Sequence, residues 1–162
     1  LLMILTGCVT RAEAQRALNV QVLVVIAAAL GIGKAIQTTG LAKAAAQSVL
    51  SVTESFGPVA VLVALYLMTN LLTEIITNNA AAVLMLPIAM AAASSLGAPP
   101  IAFGVVVAVA ASASFLTPIG YQTNLMVMSP GGYRFSDYAR VGWPVTLLVM
   151  TTSVTVISLL WL

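Results

Sequence analysis

The chain has 162 residues, of which 61% are hydrophobic and 6% charged, with a formal net charge of +2 and a mean hydropathy of +1.11. A soluble domain carries roughly 45–50% apolar and about 25% charged residues, so a polytopic membrane protein is the one comfortable class. The charge is too small and scattered for nucleic acid, Cys8 is alone and builds neither a disulfide framework nor a thiolate metal site, and the lack of His removes Ser-His and Cys-His catalysis.

The opening Leu1-Leu2-Met3 has no initiator at its first position, and the chain reads as a fragment of a longer product. Leu5-Thr6-Gly7-Cys8 mimics a lipoprotein cleavage box, but the basic n-region such a signal needs is missing, and a helix end running into a loop explains it better. Residues 1–9 read as the tail of a spanning helix, and Arg11, Glu13 and Arg16 as a charged connection. The apolar stretch 18–36 is long enough to span, since about 20 residues cross the hydrocarbon core, and Thr38-Thr39-Gly40 ends it. Within it, Gly31-Ile32-Gly33-Lys34 lacks the upstream Gly and downstream Ser/Thr of a phosphate loop, and Lys34 is read as snorkelling to the interface. Over 41–55, Leu41, Ala45, Val49 and Val52 share one helical face, while Lys43, Gln47, Ser51 and Glu54 share another. That pattern predicts an amphipathic helix at the membrane interface.

Gly57-Pro58 restarts the chain, and two apolar arms follow, 59–72 and 80–93, each shorter than a full span. Between them lies Thr73-Glu74-Ile75-Ile76-Thr77-Asn78-Asn79. Broken helix at membrane depth survives only inside protein or beside a watery cavity, so these arms predict a re-entrant hairpin over 57–96. A long helix pair with a buried Asn turn is the alternative. The next apolar run, 101–116, is rich in small residues (Gly104, Ala108, Ala111, Ser112, Ser114) that let backbones approach in lipid. Thr117-Pro118-Ile119-Gly120 interrupts it, because Pro removes a donor and Gly tolerates unusual dihedrals; a half-helix resumes, which makes 101–129 a broken helix. Ser129-Pro130-Gly131-Gly132 reads as a turn, 133–140 as a polar loop, Trp143 and Pro144 as an interface marker, and 145–162 as the last span. The predicted fold class is thus an all-α polytopic membrane protein, with spanning helices, a re-entrant helical hairpin and a broken helix in one membrane unit over 1–162. Counting Lys and Arg in short loops places Arg11, Arg16, Arg134 and Arg140 in the cytoplasm and brings the hairpin in from outside, with Lys43 on the wrong side.

On the first arm Asn70, Thr73, Glu74 and Thr77 fall at i, i+3, i+4 and i+7, a polar stripe that in lipid must face protein or water. At the tip Asn78 and Asn79 supply amide groups, with Asn79 as the expected N-cap of the second arm; Thr123 and Asn124 open the half-helix after the other break in the same way. Half-helix N-termini carry partial positive charge and free N–H groups, which suits an anion. Freed carbonyls and Asn oxygens suit a hard cation. Neither break contains Lys or Arg, so an anion there needs a bound cation to offset it. Na⁺ is preferred over H⁺, because Glu74 is the only titratable side chain near the site. Glu74 can equally be a buried structural carboxylate bonded to neighbouring backbone.

Thr73-Glu74-x-x-Thr77-Asn78-Asn79-Ala80, with Pro87 closing the arm, resembles the hairpin motif of the divalent-anion:sodium symporter family and its citrate transporter-like relatives. Thr117-Pro118-x-Gly120-Tyr121-x-Thr123-Asn124, with Ser129-Pro130-Gly131-Gly132-Tyr133-x-Phe135-x-Asp137-Tyr138 after it, resembles that family's unwound region and the loop before its last helix. The likeness corresponds to the second of two inverted repeats. It implies half of an elevator-type secondary transporter, a homodimer in a bacterial inner (plasma) membrane, whose N-terminal repeat lies outside this chain. Alternating access would carry sulfate, a dicarboxylate or citrate with Na⁺ as the coupling ion. In the family a Ser/Thr-Asn-Thr triplet at the hairpin binds both substrate and cation; those roles pass to Thr77 and Asn78, with Thr73 a cation ligand, and Asn79 stands where the family has Thr. The expected substrate set is Thr77, Asn78, Asn79, Thr123 and Asn124; the expected Na⁺ set is Thr73, Asn78, Thr117 and Gly120, partly through backbone carbonyls. Other readings are a subunit of an antiporter or arsenite-type pump of the same superfamily, and a structural fragment with no site of its own. An enzyme is not expected, since there are neither paired aspartates nor a His motif.

Overall fold

The computed structural model describes residues 38–53 and 56–162 without interruption and, before them, residues 3, 6–8, 10, 13, 24, 27, 28, 31, 32 and 34–36. The expected helix tail over 1–9, the charges Arg11 and Arg16, most of the span over 18–36, and Glu54 lie outside the described residues. Thr38 and Thr39 turn their hydroxyls back to carbonyls of the preceding turn, and Gly40 takes φ 76, ending that segment where the sequence places its stop. Further upstream, the Thr10 N–H and hydroxyl both donate to Glu13 Oε2, at 2.9 and 2.7 Å, and the Glu13 N–H donates back to the Thr10 hydroxyl. This is a Thr-x-x-Glu cap, and the Thr10 hydroxyl holds the Glu13 carboxyl below its ordinary range.

Among the described residues all regular structure is helical: α1 Leu41–Thr53, α2 Pro58–Thr73, α3 Asn78–Leu96, α4 Pro100–Ser112, α5 Gln122–Met128 and α6 Phe135–Trp161. Pro at the first position starts both α2 and α4, where its missing N–H costs nothing. α4 packs against α2, α3 and α6, while α1 lies against α2 and α3. The core is built from Val61, Leu62, Leu65 and Tyr66 of α2, Met85, Ala89, Ala92 and Ala93 of α3, and Phe103, Val106, Val107 and Ala110 of α4. Alanines at these crossings let the backbones close on one another around the two aromatic rings.

Helices α3 (19 residues, mean hydropathy 1.7) and α6 (27 residues, 1.8) are long and apolar enough to cross a membrane; α2 and α4 are shorter apolar helices. Four sequence expectations need correction. The buried face of α1 is Ala42, Ala46 and Val49, whereas Leu41 and Val52 are exposed. Two alanines and Val49 join the core, and Leu41 and Val52 at the two ends of the helix face outward. The second arm begins at Asn78, with Thr77 rather than Asn79 as its N-cap, and Thr77 thereby leaves the α2 stripe. Pro87 does not close that arm but lies inside α3, which continues to Leu96 and ends at Gly97 in the left-handed conformation (φ 62). Finally, most of the expected loop over 133–140 belongs to α6, because the Asp137 carboxylate accepts the Arg134 N–H at 2.7 Å and starts the helix at Phe135.

Candidate functional site

Between Ser112, where α4 ends, and Gln122, where α5 begins, most backbone groups lose their helical partners and must find others. Side chains from the end of α2 supply them. Asn70 Nδ2 donates to the Ala113 carbonyl at 2.6 Å, and Thr73 Oγ1 to the Ala111 carbonyl at 2.8 Å. The Glu74 carboxylate takes the donors: Leu116 N–H at 3.0 Å on Oε1 and Thr117 N–H at 2.8 Å on Oε2. Asn70, Thr73 and Glu74 are all buried. From the other direction Asn124 Nδ2 donates to the Ser114 and Thr117 carbonyls, at 3.2 and 3.3 Å, and Tyr138 of α6 donates its hydroxyl to the Asn124 carbonyl at 2.8 Å. The Thr117 hydroxyl donates to the Glu74 carbonyl and accepts from the Gly120 N–H. The polar stripe of α2 therefore faces protein, as lipid demands, and what it meets is the opened backbone of the break.

Two glycines allow the close approaches. A Cβ on Gly120 would lie 2.0 Å from Ser114 Oγ and 2.7 Å from the Thr73 carbonyl oxygen, so the end of α2 rests on bare backbone. A Cβ on Gly142 would lie 2.1 Å from the Phe115 carbonyl oxygen, so α6 also presses on the break. Neither contact was legible in the sequence, where Gly142 falls before the expected last span.

The hairpin tip is arranged differently. Thr77 is exposed and its hydroxyl accepts the Ala80 N–H at 3.4 Å; half-buried Asn78 turns its Oδ1 back to the Asn79 N–H at 3.0 Å. Asn79 and Thr123 are exposed. Of the expected site residues, hydrogen bonds and close packing bring together Thr73, Glu74, Thr117, Gly120 and Asn124. Thr77, Asn78 and Asn79 stand at the start of α3 without a hydrogen bond to the break. Asn124 also lines an open cavity of about 420 Å³ between the break, α5 and α6, together with Phe115, Val127, Tyr138, Val141 and Val145. Its walls are mostly apolar.

The sequence profile of the citrate transporter family matches residues 1–162. The chain belongs to that family. It is 42% identical over 98% of its length to an uncharacterized transporter of Synechocystis, and 40% identical over 92% to sodium/sulfate cotransporter 1 of Chlamydomonas reinhardtii. It is 29% identical over 86% of its length to the sodium-dependent dicarboxylate transporter of Staphylococcus saprophyticus. It spans 26%, 17% and 27% of the lengths of these three relatives. A family of membrane transporters matches the helical build, and the chain is part of an integral, multi-pass membrane protein.

Proposed function

We propose that this chain is the part of a Na⁺-coupled symporter that holds half of its binding site, in a protein carrying a small divalent anion of the sulfate, dicarboxylate or citrate class by alternating access. The break between α4 and α5, held open by α2, is the observation that carries this reading. It collects backbone carbonyls, Thr and Asn side chains and N–H groups, two of them capped by the Glu74 carboxylate, and no Lys or Arg lies in it. An anion placed there has no fixed positive side chain to pair with, and a bound cation supplies the missing charge. That is the physical root of coupling: each ion raises the affinity for the other.

In this reading Thr73, Asn78, Thr117 and Gly120 hold Na⁺, partly through carbonyls, because hard cations take oxygen ligands. A carbonyl has two lone pairs, so the Thr117 oxygen keeps acceptor capacity beside its bond to Asn124. Thr77, Asn78, Asn79, Thr123 and Asn124 meet the anion, helped by the α3 N-terminus. Glu74 acts as a brace in this reading, each of its oxygens accepting one N–H of the break. The hairpin of α2 and α3 is re-entrant in this scheme, the protein lies in a bacterial inner (plasma) membrane as a homodimer, and an N-terminal repeat completes the site. The names of relatives described as sodium/sulfate and sodium-dependent dicarboxylate transporters support the substrate class and the coupling ion.

The test is uptake of labelled sulfate, succinate and citrate by the full-length gene product reconstituted in liposomes, with external Na⁺ or with choline in its place. Uptake of one of them that rises with Na⁺ supports the reading. Uptake indifferent to Na⁺ for all three overturns it.

A further inference from the structure

Ser114 lies in the broken segment itself, is 3% exposed, and its Oγ is buried with no hydrogen-bond partner. A hydroxyl can donate once and accept twice, and burying it unpaired is unfavourable. The setting makes this unusual: the Ala111, Ala113, Ser114 and Thr117 carbonyls around it each receive a side-chain donor. A second oxygen in the same place also lacks one. The Thr73 carbonyl ends α2, where last-turn carbonyls have no intrahelical donor, and no backbone N–H from the adjoining turn reaches it. The two oxygens lie 2.0 and 2.7 Å from a common point, the place a side chain on Gly120 would occupy. They therefore stand within one small ion's reach of each other, over backbone that carries no side chain.

We propose that Ser114 is a further ligand of the coupling cation, its Oγ and the Thr73 carbonyl supplying adjacent neutral oxygens beside Gly120. The proposal rests on the sodium-coupled reading above and adds to it a side chain that selects the ion. Two uncharged oxygens held close by packed backbone favour a small, hard cation and leave its charge free for the anion. A cation there would engage a lone pair of the Ser114 oxygen, which no protein donor takes up.

The experiment uses the full-length protein in detergent and follows ²²Na⁺ binding and the Na⁺-dependent rise in unfolding temperature, with choline as the inert salt. Ser114→Ala removes the oxygen alone. Without Na⁺ it should melt at or above the wild-type temperature, since an unpaired buried hydroxyl is lost. Its half-saturating Na⁺ concentration should rise about tenfold, the scale of one hydrogen-bond-like contact to a charge. Ser114→Gly should behave alike and serves if the Ala variant fails to fold. Ser112→Ala, whose exposed hydroxyl bonds to the Ala108 carbonyl, should leave the titration unchanged. A Na⁺ titration of either Ser114 variant that superimposes on wild type overturns the proposal while leaving the sodium reading intact. A wild-type protein that neither binds ²²Na⁺ nor is stabilised by it overturns both.

Discussion

Glu74 and Thr117, 43 residues apart in the chain, hold each other twice: the Thr117 N–H donates to Glu74 Oε2 at 2.8 Å, and the Thr117 hydroxyl donates to the Glu74 carbonyl at 3.0 Å. The end of α2 and the break after α4 are thereby one unit. Removing the side chain tests this directly. Glu74→Ala strands the half-buried Leu116 and Thr117 N–H groups, and an unpaired donor costs up to about 1–3 kcal/mol when fully buried, less here. The full-length variant should melt several degrees lower and accumulate poorly, whereas Glu74→Gln, which keeps one acceptor, should fall between. A wild-type melting temperature for the Ala variant would show that the carboxylate braces nothing.

The contact of Gly142 with Phe115 predicts a steric effect from one methyl group. Gly142→Ala places a Cβ 2.1 Å from the Phe115 carbonyl oxygen, so α6 or the break must shift. Overpacking of this kind costs about 1–3 kcal/mol, and transport should drop several-fold with it. Gly104→Ala, whose nearest neighbour would be the flexible end of Met90 at 3.6 Å, should transport normally. Equal behaviour of the two variants would remove Gly142 from the architecture of the site.

For topology, the reading of α2 and α3 as a re-entrant hairpin requires both outer ends on one side of the membrane. With exposed Cys8 replaced, single cysteines at Ser55 and Ser94 should react with the same impermeant maleimide from the same face. Labelling from opposite faces would make α2 and α3 a crossing element instead.

Asn78 presents the chemical test of the tip. Asn78→Asp keeps an oxygen for a cation but adds a negative charge and loses two donors, so apparent substrate affinity should fall at least tenfold while Na⁺ affinity holds or improves. Unchanged substrate affinity and sodium dependence would remove Asn78 from the site. Asn70→Asp is not a silent companion to it. Asn70 is buried and donates to the Ala113 carbonyl at 2.6 Å, so a carboxylate there meets a carbonyl oxygen and should destabilise the fold. Its signature is a lower melting temperature, distinct from the affinity change expected at Asn78.

Much of this was legible from residue chemistry. Composition set the membrane class, Pro118 and Gly120 marked the break, and Gly40 marked a helix end. The polar stripe on α2 was visible too, and so was its need to face away from lipid. The α6 start was missed although Asp137 sits three residues after Arg134, because glycines, charges and Pro144 around it read as a loop.

What the linear chain determined by itself was local: where helices are interrupted, and which side chains are too polar for lipid. Those follow from backbone chemistry and transfer energies, which need only neighbours in sequence. Tertiary structure alone decided which apolar face of α1 turns inward, since lipid and core are equally apolar and hydrophobic periodicity cannot separate Leu41 from Ala42. It also decided that Asn70, Thr73 and Glu74 meet the backbone of the break, that Gly120 and Gly142 bring helices onto it, and that Ser114 is left with an unpaired oxygen at their junction. Each of these is a contact between segments far apart along the chain, and its geometry exists only once the helices have packed.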